Sequence, residues 1–345
     1  MKTSKLISAA SRALLAAALS LGAVSTAAAS ELLVYTAIEA DQLEAYKQAF
    51  EKDNPGITIN WVRDSTGIVT AKLLAEKDNP QADVVWGLAA TSLMLLDNEG
   101  MLLPYAPAGL DKINAKFRDS RAAPTWVGMD VWSSAICFNT AEAAAKNLTP
   151  PTSWQDLTKP EYVGMITMPN PSSSGTGYLM VSAWLQLMGE EKGWAFMDAL
   201  HQNIGTYTHS GSKPCRQAGA GEFPIGISFE YRASKTKADG APIDIIFPSE
   251  GIGWDMEATA ILKSTKNPDA AKALADWAAS ATANAMYAKG YAIVAIDGVA
   301  QPLEHVPANL AELLIKNDFT WAAQNRERIL QEWTTRYNAK SEPKS

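Results

Sequence analysis

The chain has 345 residues, 47% hydrophobic and 19% charged, a balance that excludes wholesale disorder and collagen-like repeats. Only two cysteines are present, which excludes a disulfide-dense miniprotein, and a formal net charge of −7 without a basic patch argues against nucleic acid as a partner. At this length two lobes are the default, because a single core rarely grows beyond about 250–300 residues.

The N-terminus reads as a targeting segment. Lys2, Lys5 and Arg12 precede a short apolar run from Ala13 to Val24, and Ala27-Ala28-Ala29 supplies the small residues of a signal-peptidase cut. The run is shorter than the roughly 20 residues a membrane span needs, so cleavage after residue 29 is expected and an uncleaved anchor is the alternative. No cysteine follows the run, which argues against a lipid anchor. Removing the three positive charges takes the net charge from −7 to −10. Export favours pairing Cys137 with Cys215, with two buried free thiols as the other reading. His201, His209 and His305 are scattered without metal-ligand spacing, and His209 reads as a loop residue, so no metal and no cofactor is expected.

Strands and helices then alternate. Leu32–Thr36 is a short apolar strand, and Ala37–Lys52 carries Leu43, Tyr46 and Phe50 at helical spacing. Asn54-Pro55-Gly56 ends that helix, Ile57–Val62 alternates as a strand, and Ser65-Thr66-Gly67 opens a helix through Glu76. Ala82–Trp86 is a third strand; the order implies βαβ units and a mainly parallel sheet. Val127–Asn139 reads as a connector and strand, Trp154–Leu157 as a short helix, and Met165–Met168 as a strand. Pro169–Gly177 leads into a helix at Tyr178–Leu187, followed by another at Glu191–Leu200. Ile225–Phe229 and Ile243–Phe247 are strands. After Glu257 the chain is expected to be helical, with helices at Ala270–Ser280 and Asn284–Lys289 and a C-terminal one carrying Trp321, Ile329, Leu330 and Trp333. The tail Lys340–Ser345 is expected to be disordered.

Ligands in open α/β sheets sit beyond the carboxyl ends of strands, at helix N-termini. Three turns qualify: Thr36-Ala37, Ser65-Thr66-Gly67, and Ser172-Ser173-Ser174-Gly175-Thr176. Each offers hydroxyls and free backbone N–H groups, which suit a phosphate or carboxylate. Ordinary helix capping by Ser and Thr is the competing explanation. Trp184, Trp194, Trp277, Trp321 and Trp333 fall at core spacing on helices, whereas Trp86 at a strand's carboxyl end is a candidate ligand contact. Ser234-Lys235-Thr236-Lys237 matches a Ser-x-x-Lys pattern, but the other elements of that hydrolase class are missing, and no Gly-x-Ser-x-Gly, Walker loop or zinc-protease His pair occurs. A secreted serine hydrolase is therefore the weaker alternative and no enzyme is expected.

These segments carry a resemblance. Leu33-Val34-Tyr35-Thr36, Ala82–Trp86, Trp126-Val127-Gly128, Cys137-Phe138-Asn139-Thr140, Pro151–Leu157, Ile261-Leu262-Lys263 and Lys266–Ala271 resemble the type II periplasmic solute-binding proteins of ATP-driven (ABC) importers. The likeness runs over nearly the whole chain, is strongest to the ferric-ion-binding family, and within it to the 2-aminoethylphosphonate-binding branch. It implies an α/β fold of two lobes, each a mainly parallel sheet flanked by helices, with a cleft between them. The implied boundaries are 1–29 for the signal peptide, 30–130 plus 255–345 for lobe 1, and 131–254 for lobe 2.

The resemblance also implies a site. Iron-binding members use two consecutive tyrosines where this chain has Phe229-Glu230-Tyr231-Arg232, and their first-lobe His and Glu positions fall near Glu39 and Leu88, which speaks against iron. Their synergistic phosphate matches Ser174-Gly175-Thr176, with Ser210 and Ser228 near two further anion contacts. Glu230 would then pair with the ammonium of a zwitterionic phosphonate and Tyr231 would add a hydroxyl or ring face, with Asp255 and Glu257 as further candidates. A solvated pair between Glu230 and Arg232 or Lys235 is the competing reading. The expected function is thus a monomeric periplasmic binding protein that delivers 2-aminoethylphosphonate to an inner-membrane permease. A ferric-ion or other small-anion binder of the same fold is the alternative.

Overall fold

A computed structural model describes residues 30–343. The expected signal peptide at 1–29 lies outside the described residues. Among the described residues nine strands form: β1 Ser30–Thr36, β2 Ile57–Arg63, β3 Val84–Ala89, β4 Val127–Asn139, β5 Ile166–Pro169, β6 Ile204–Thr208, β7 Ile225–Phe229, β8 Ile243–Ile246 and β9 Trp254–Ile261. The helices are α1 Ala40–Asp53, α2 Thr66–Ala75, α3 Ala90–Asn98, α4 Thr140–Lys146, α5 Gly175–Met188, α6 Glu190–Asn203, α7 Lys213–Gly219, α8 Glu230–Ala238, α9 Pro268–Ala278, α10 Ala281–Tyr287, α11 Leu310–Leu313 and α12 Phe319–Tyr337. Among the described residues no helix is long and apolar enough to cross a membrane.

The strand order is β2-β1-β3-β9-β4 in lobe 1 and β4-β7-β5-β6 in lobe 2, with β8 on the other side of β4. The βα units pair in parallel (β1 with β2 and β3, β5 with β6 and β7), while β4 and β9 run antiparallel to their neighbours. One strand therefore serves both lobes. β4 is buried along all its length: Val127–Ser133 pairs with β9, and Ser134–Asn139 pairs with β7 and β8. A strand covered on both faces reads as a continuous apolar run, which explains the extended reading of 127–139.

Three expectations need correction. Residues 258–261, in the stretch expected to be helical, are the second half of β9. Ala258, Thr259 and Ala260 look helical by composition, but the strand lies between β3 and β4 with both faces covered, so apolar alternation is lost. The tail expected to be disordered from Lys340 is ordered through residue 343, and residues 344–345 lie outside the described residues. Lys340 Nζ donates to the carbonyls of His201 (2.6 Å) and Ile204 (2.7 Å), and the Glu342 N–H donates to the Tyr207 carbonyl (2.9 Å). The C-terminal segment also does not stay on lobe 1. α12 starts beside Trp254, where Phe319 packs edge-on at 4.9 Å, and then runs along lobe 2. There Trp333 meets Tyr207 at 4.8 Å, and the Tyr178 hydroxyl donates to the Ala322 carbonyl.

Cys137 on β4 and Cys215 on α7 form the disulfide, both fully buried. It ties the central strand of lobe 2 to a helix whose preceding turn borders the interlobe cleft.

Candidate functional site

The cleft between the lobes, together with the solvent at its mouth, takes up about 480 Å³. Its lobe 2 wall starts at the N-terminus of α5. The Ser174 hydroxyl caps this helix by accepting the Gly177 N–H (3.3 Å), and the first-turn N–H groups of Gly175 and Thr176 are of the kind a helix start leaves without an intrahelical acceptor. The Ser210-Gly211 turn lies directly on it: a Cβ at Gly211 would come within 2.5 Å of Thr176 Oγ1. Ser228, buried on β7, fixes that turn by donating its hydroxyl to the Gly211 carbonyl (2.7 Å).

The lobe 1 wall is the N-terminus of α2, with Ser65 and Thr66 at the opening. The two helix starts meet so closely that only glycine fits. A Cβ at Gly175 would lie 2.6 Å from Thr66 Oγ1, and one at Gly67 would lie 2.1 Å from the Ser172 carbonyl oxygen. The Gly67 N–H donates to the Ser173 carbonyl across the gap (2.9 Å). Two positive helix ends thus border one space, which favours an anion there.

Arg63, the last residue of β2, lines the same space. Its Nε donates to the Ile38 carbonyl (3.1 Å), which fixes the guanidinium, and a terminal nitrogen lies 3.6 Å from Glu39. Sequence reasoning missed this residue; its one signal was a basic side chain at a strand's carboxyl end, immediately before a Ser-Thr-Gly turn. Trp132 and Phe229 add the apolar wall and were missed as well.

Of the residues expected at the site, Ala37, Ser65, Thr66, Ser174, Gly175, Thr176, Ser210 and Glu257 come together around the cleft. Ala37 brings no donor, because its N–H is taken by the Gly87 carbonyl (3.0 Å). The others stand behind the surface. Thr36 is fully buried and its hydroxyl accepts the Ile38 N–H (3.1 Å). Ser173 donates its hydroxyl to the His209 carbonyl (2.9 Å), and Gly67 and Ser228 hold backbone as described above. Trp86 is a core residue: its indole N–H donates to the Tyr287 hydroxyl (3.2 Å), and its ring packs among Tyr46, Trp61 and Trp277. Tyr231 does not face the space either. It stacks on Tyr291 at 5.3 Å, and burial pushes its phenol pKa up.

The carboxyls fall into two groups. Glu39 and Asp41, at the start of α1, face guanidiniums. Glu230 and Asp130 are buried and Glu257 is half-buried, and none of the three makes a salt bridge among the described residues. Glu230 accepts the Ser133 N–H through one oxygen (2.6 Å), its other oxygen has no partner, and burial raises its pKa to about 8. The competing reading of a solvated pair with Arg232 or Lys235 does not hold, since Glu230 is 1% exposed and Arg232 points to Glu39. Glu257 is likewise pushed up to about 8, by burial and by the nearby Glu39 and Glu230, and it is the member of this group that lines the cleft. Asp255 accepts from the Thr91 hydroxyl (2.6 Å) and the Met256 N–H (2.7 Å), which makes it a structural carboxyl of the crossover.

At neutral pH the cleft therefore has a defined polarity. Arg63, Arg216 and Arg232 stand against the carboxylates of Glu39 and Asp41, one positive charge in excess, with Glu257 held as a neutral acid. Neutral hydroxyls, helix N–H groups and Arg63 share the space with Glu257, whose pKa Arg63 lowers and burial raises by more. Among the described residues no group of three or more His, Cys, Asp or Glu side chains is placed to hold a metal ion.

Residues 79–326 match the profile of a family described as bacterial extracellular solute-binding protein. An uncharacterized protein of Haemophilus influenzae is 33% identical over 283 residues, 81% of either chain. In three dimensions the chain is similar to the periplasmic binding protein AfuA of Actinobacillus pleuropneumoniae, solved with fructose-6-phosphate bound. The TM-score there is 0.84 at 29% identity, covering 90% of this chain and 99% of that one. Iron-bound HitA of Pseudomonas aeruginosa shares the fold, with a TM-score of 0.74 at 20% identity over 88% and 99% of the two chains. A putative 2-aminoethylphosphonate-binding periplasmic protein of Salmonella typhimurium is 24% identical over 165 residues, 47% of this chain and 44% of that one. The branch expected from sequence is thus a more distant likeness than AfuA.

Proposed function

Since the chain belongs to the bacterial extracellular solute-binding proteins, periplasmic, non-catalytic carriers that serve ABC importers, we propose that its ligand is a small organic phosphate. The ligand is a phosphate monoester whose carbon skeleton carries hydroxyl groups. The observation that carries this reading is the shared space of Arg63, the N-terminus of α5 and the hydroxyls of Ser65, Thr66 and Ser210. A tetrahedral dianion accepts hydrogen bonds in several directions, and this set presents donors from both lobes at once. In the same space neutral Glu257 can both donate to and accept from a hydroxyl, while Trp132 and Phe229 offer apolar surface to the carbon skeleton. The fructose-6-phosphate held by AfuA has both halves of this chemistry.

The second reading, 2-aminoethylphosphonate, places the phosphonate at the same donors. Its ammonium would have to meet Glu257 rather than Glu230, and Glu257 would have to ionise in a buried position beside Asp130 and Glu230. That costs desolvation energy which a hydroxyl ligand avoids. Ferric iron has the least support: Glu39 is occupied by guanidiniums, and Tyr231 is a stacked, protonated phenol.

A calorimetric panel tests the order. Fructose-6-phosphate is expected to bind at least about tenfold tighter than 2-aminoethylphosphonate or inorganic phosphate, a margin of roughly 1.4 kcal/mol. Ferric citrate is expected to give no heat and no visible charge-transfer band. Tighter binding of 2-aminoethylphosphonate would transfer the assignment to the second reading.

A further inference from the structure

Glu39 precedes α1 in lobe 1, and its side chain is only 10% exposed although it sits at the edge of the cleft. It receives three guanidiniums. Arg63 comes from its own lobe at 3.6 Å, whereas Arg216 of α7, at 3.4 Å, and Arg232 of α8, in a short contact, come from lobe 2. Arg232 lies 193 residues away in sequence, its side chain is 5% exposed, and it also reaches Asp41 at 3.5 Å. Beside it Tyr231 donates its hydroxyl towards Asp41 (3.4 Å) and stacks on Tyr291, and a Cβ at Gly290 would come within 2.8 Å of the Tyr231 ring.

We infer that Glu39 is the electrostatic latch between the lobes: through Arg232 and Arg216 it holds lobe 2 closed over the cleft while its other oxygen restrains Arg63. Neither lobe requires these bonds for its own fold, since Glu39 and Asp41 belong to one lobe and Arg216, Arg232 and Tyr231 to the other. The start of α1 also stabilises the two carboxylates it presents, because negative charge is favoured at a helix N-terminus. A bound anion competes with Glu39 for Arg63. Ligand entry then leaves Glu39 to the lobe 2 guanidiniums, so occupancy tightens the latch. Glu39 is thus a positioning residue that sets how long a ligand stays, and the latch differs from the anion site in acting without ligand.

Because the latch stands apart from the identity of the ligand, and only its effect on release rests on the phosphate reading, the test begins with ligand-free protein. Nitroxides placed by Lys112→Cys on lobe 1 and Lys192→Cys on lobe 2, both exposed positions, report the interlobe distance. The parent is expected to show a short-distance population that shrinks in Glu39→Gln, in Arg232→Met and in about 1 M salt, where screening acts within about 3 Å. Arg216→Met, at a mostly exposed side chain, gives a smaller change in the same direction and guards against loss of folding in the Arg232 variant. Stopped-flow release of fructose-6-phosphate is then expected to be about tenfold or more faster in Glu39→Gln, with association unchanged or faster because the cleft gains positive charge. Distance distributions identical in parent and all three variants would overturn the latch. So would faster release without a change in distance. Absence of fructose-6-phosphate binding in the parent would overturn the ligand assignment alone, since the distances still decide the latch.

Discussion

Asp130 and Glu257 stand directly opposite each other on β4 and β9, the two antiparallel strands where the lobes join. The Asp130 carboxyl is buried and neither of its oxygens has a hydrogen-bond partner, while Glu257 is half-buried and has one buried oxygen without a partner. Glu230 adds a third carboxyl from the start of α8. None of the three makes a salt bridge among the described residues, and although Arg63 pulls the Glu257 pKa down, burial outweighs it in all three and holds them protonated. The crossover is built around neutral acids.

That arrangement makes stability depend on pH with a definite sign. The folded-state pKa of Glu230 is raised to about 8, against about 4.3 in an unfolded chain. Below pH 4 both states are protonated and the group has no effect. As pH rises from about 4.3 to about 8, the unfolded chain releases the proton while the folded one keeps it, so stability falls through that window. Glu230→Gln removes this titration, and Gln still accepts the Ser133 N–H. Urea unfolding at pH 5, 6.5 and 8 is expected to show the variant gaining on the parent as pH rises. A constant difference across the three values would contradict the buried neutral acid.

A methyl group tests the closed geometry. Gly67→Ala places a Cβ against the Ser172 carbonyl and the Ser173 backbone of the other lobe, with no nearer clash inside lobe 1. In an open molecule the change is a helix-favouring one, contributing about 0.5–1 kcal/mol. Thermal unfolding without ligand is therefore expected to be unchanged or slightly higher, while ligand affinity drops by about tenfold or more. Unaltered affinity would show that the ligand is held without the two helix ends meeting.

The disulfide gives a third prediction. Cys137 and Cys215 are 78 residues apart and completely buried in lobe 2. Replacing both with Ala is expected to lower stability by about 2–5 kcal/mol, the usual range for a native bridge of this kind. The parent should take up no alkylating reagent unless it is first unfolded and reduced. Labelling of two thiols in the native protein would contradict the bridge.

The two helix starts that line the cleft were legible because Ser174-Gly175-Thr176 and Ser65-Thr66-Gly67 combine a strand exit, a helix start and glycines, a local signal. Arg63 was not, since one arginine at a strand end has the same pattern as a solvated side chain. The position of Glu230 was legible and its orientation was not: its carboxyl turns towards the Ser133 N–H, a partner 97 residues away. Trp86 misled for the same reason, because a strand's carboxyl end can dip into the core as well as reach the cleft. In the fold, β9 was hidden by alanines in a strand covered on both faces. The order of the tail depends on Lys340 meeting two carbonyls of lobe 2, which no spacing in the chain announces.

The central claim is that Arg63 and two facing helix N-termini bind the phosphate of a small hydroxylated ester. Its most direct test is one calorimetric titration with fructose-6-phosphate, run on the parent and on Arg63→Met. Arg63 is partly exposed, and losing a hydrogen bond to a charged group costs about 1.5–3 kcal/mol, so affinity is expected to fall roughly ten- to hundredfold. Equal affinity in the two proteins, or no binding of the phosphate ester by the parent, would contradict the account.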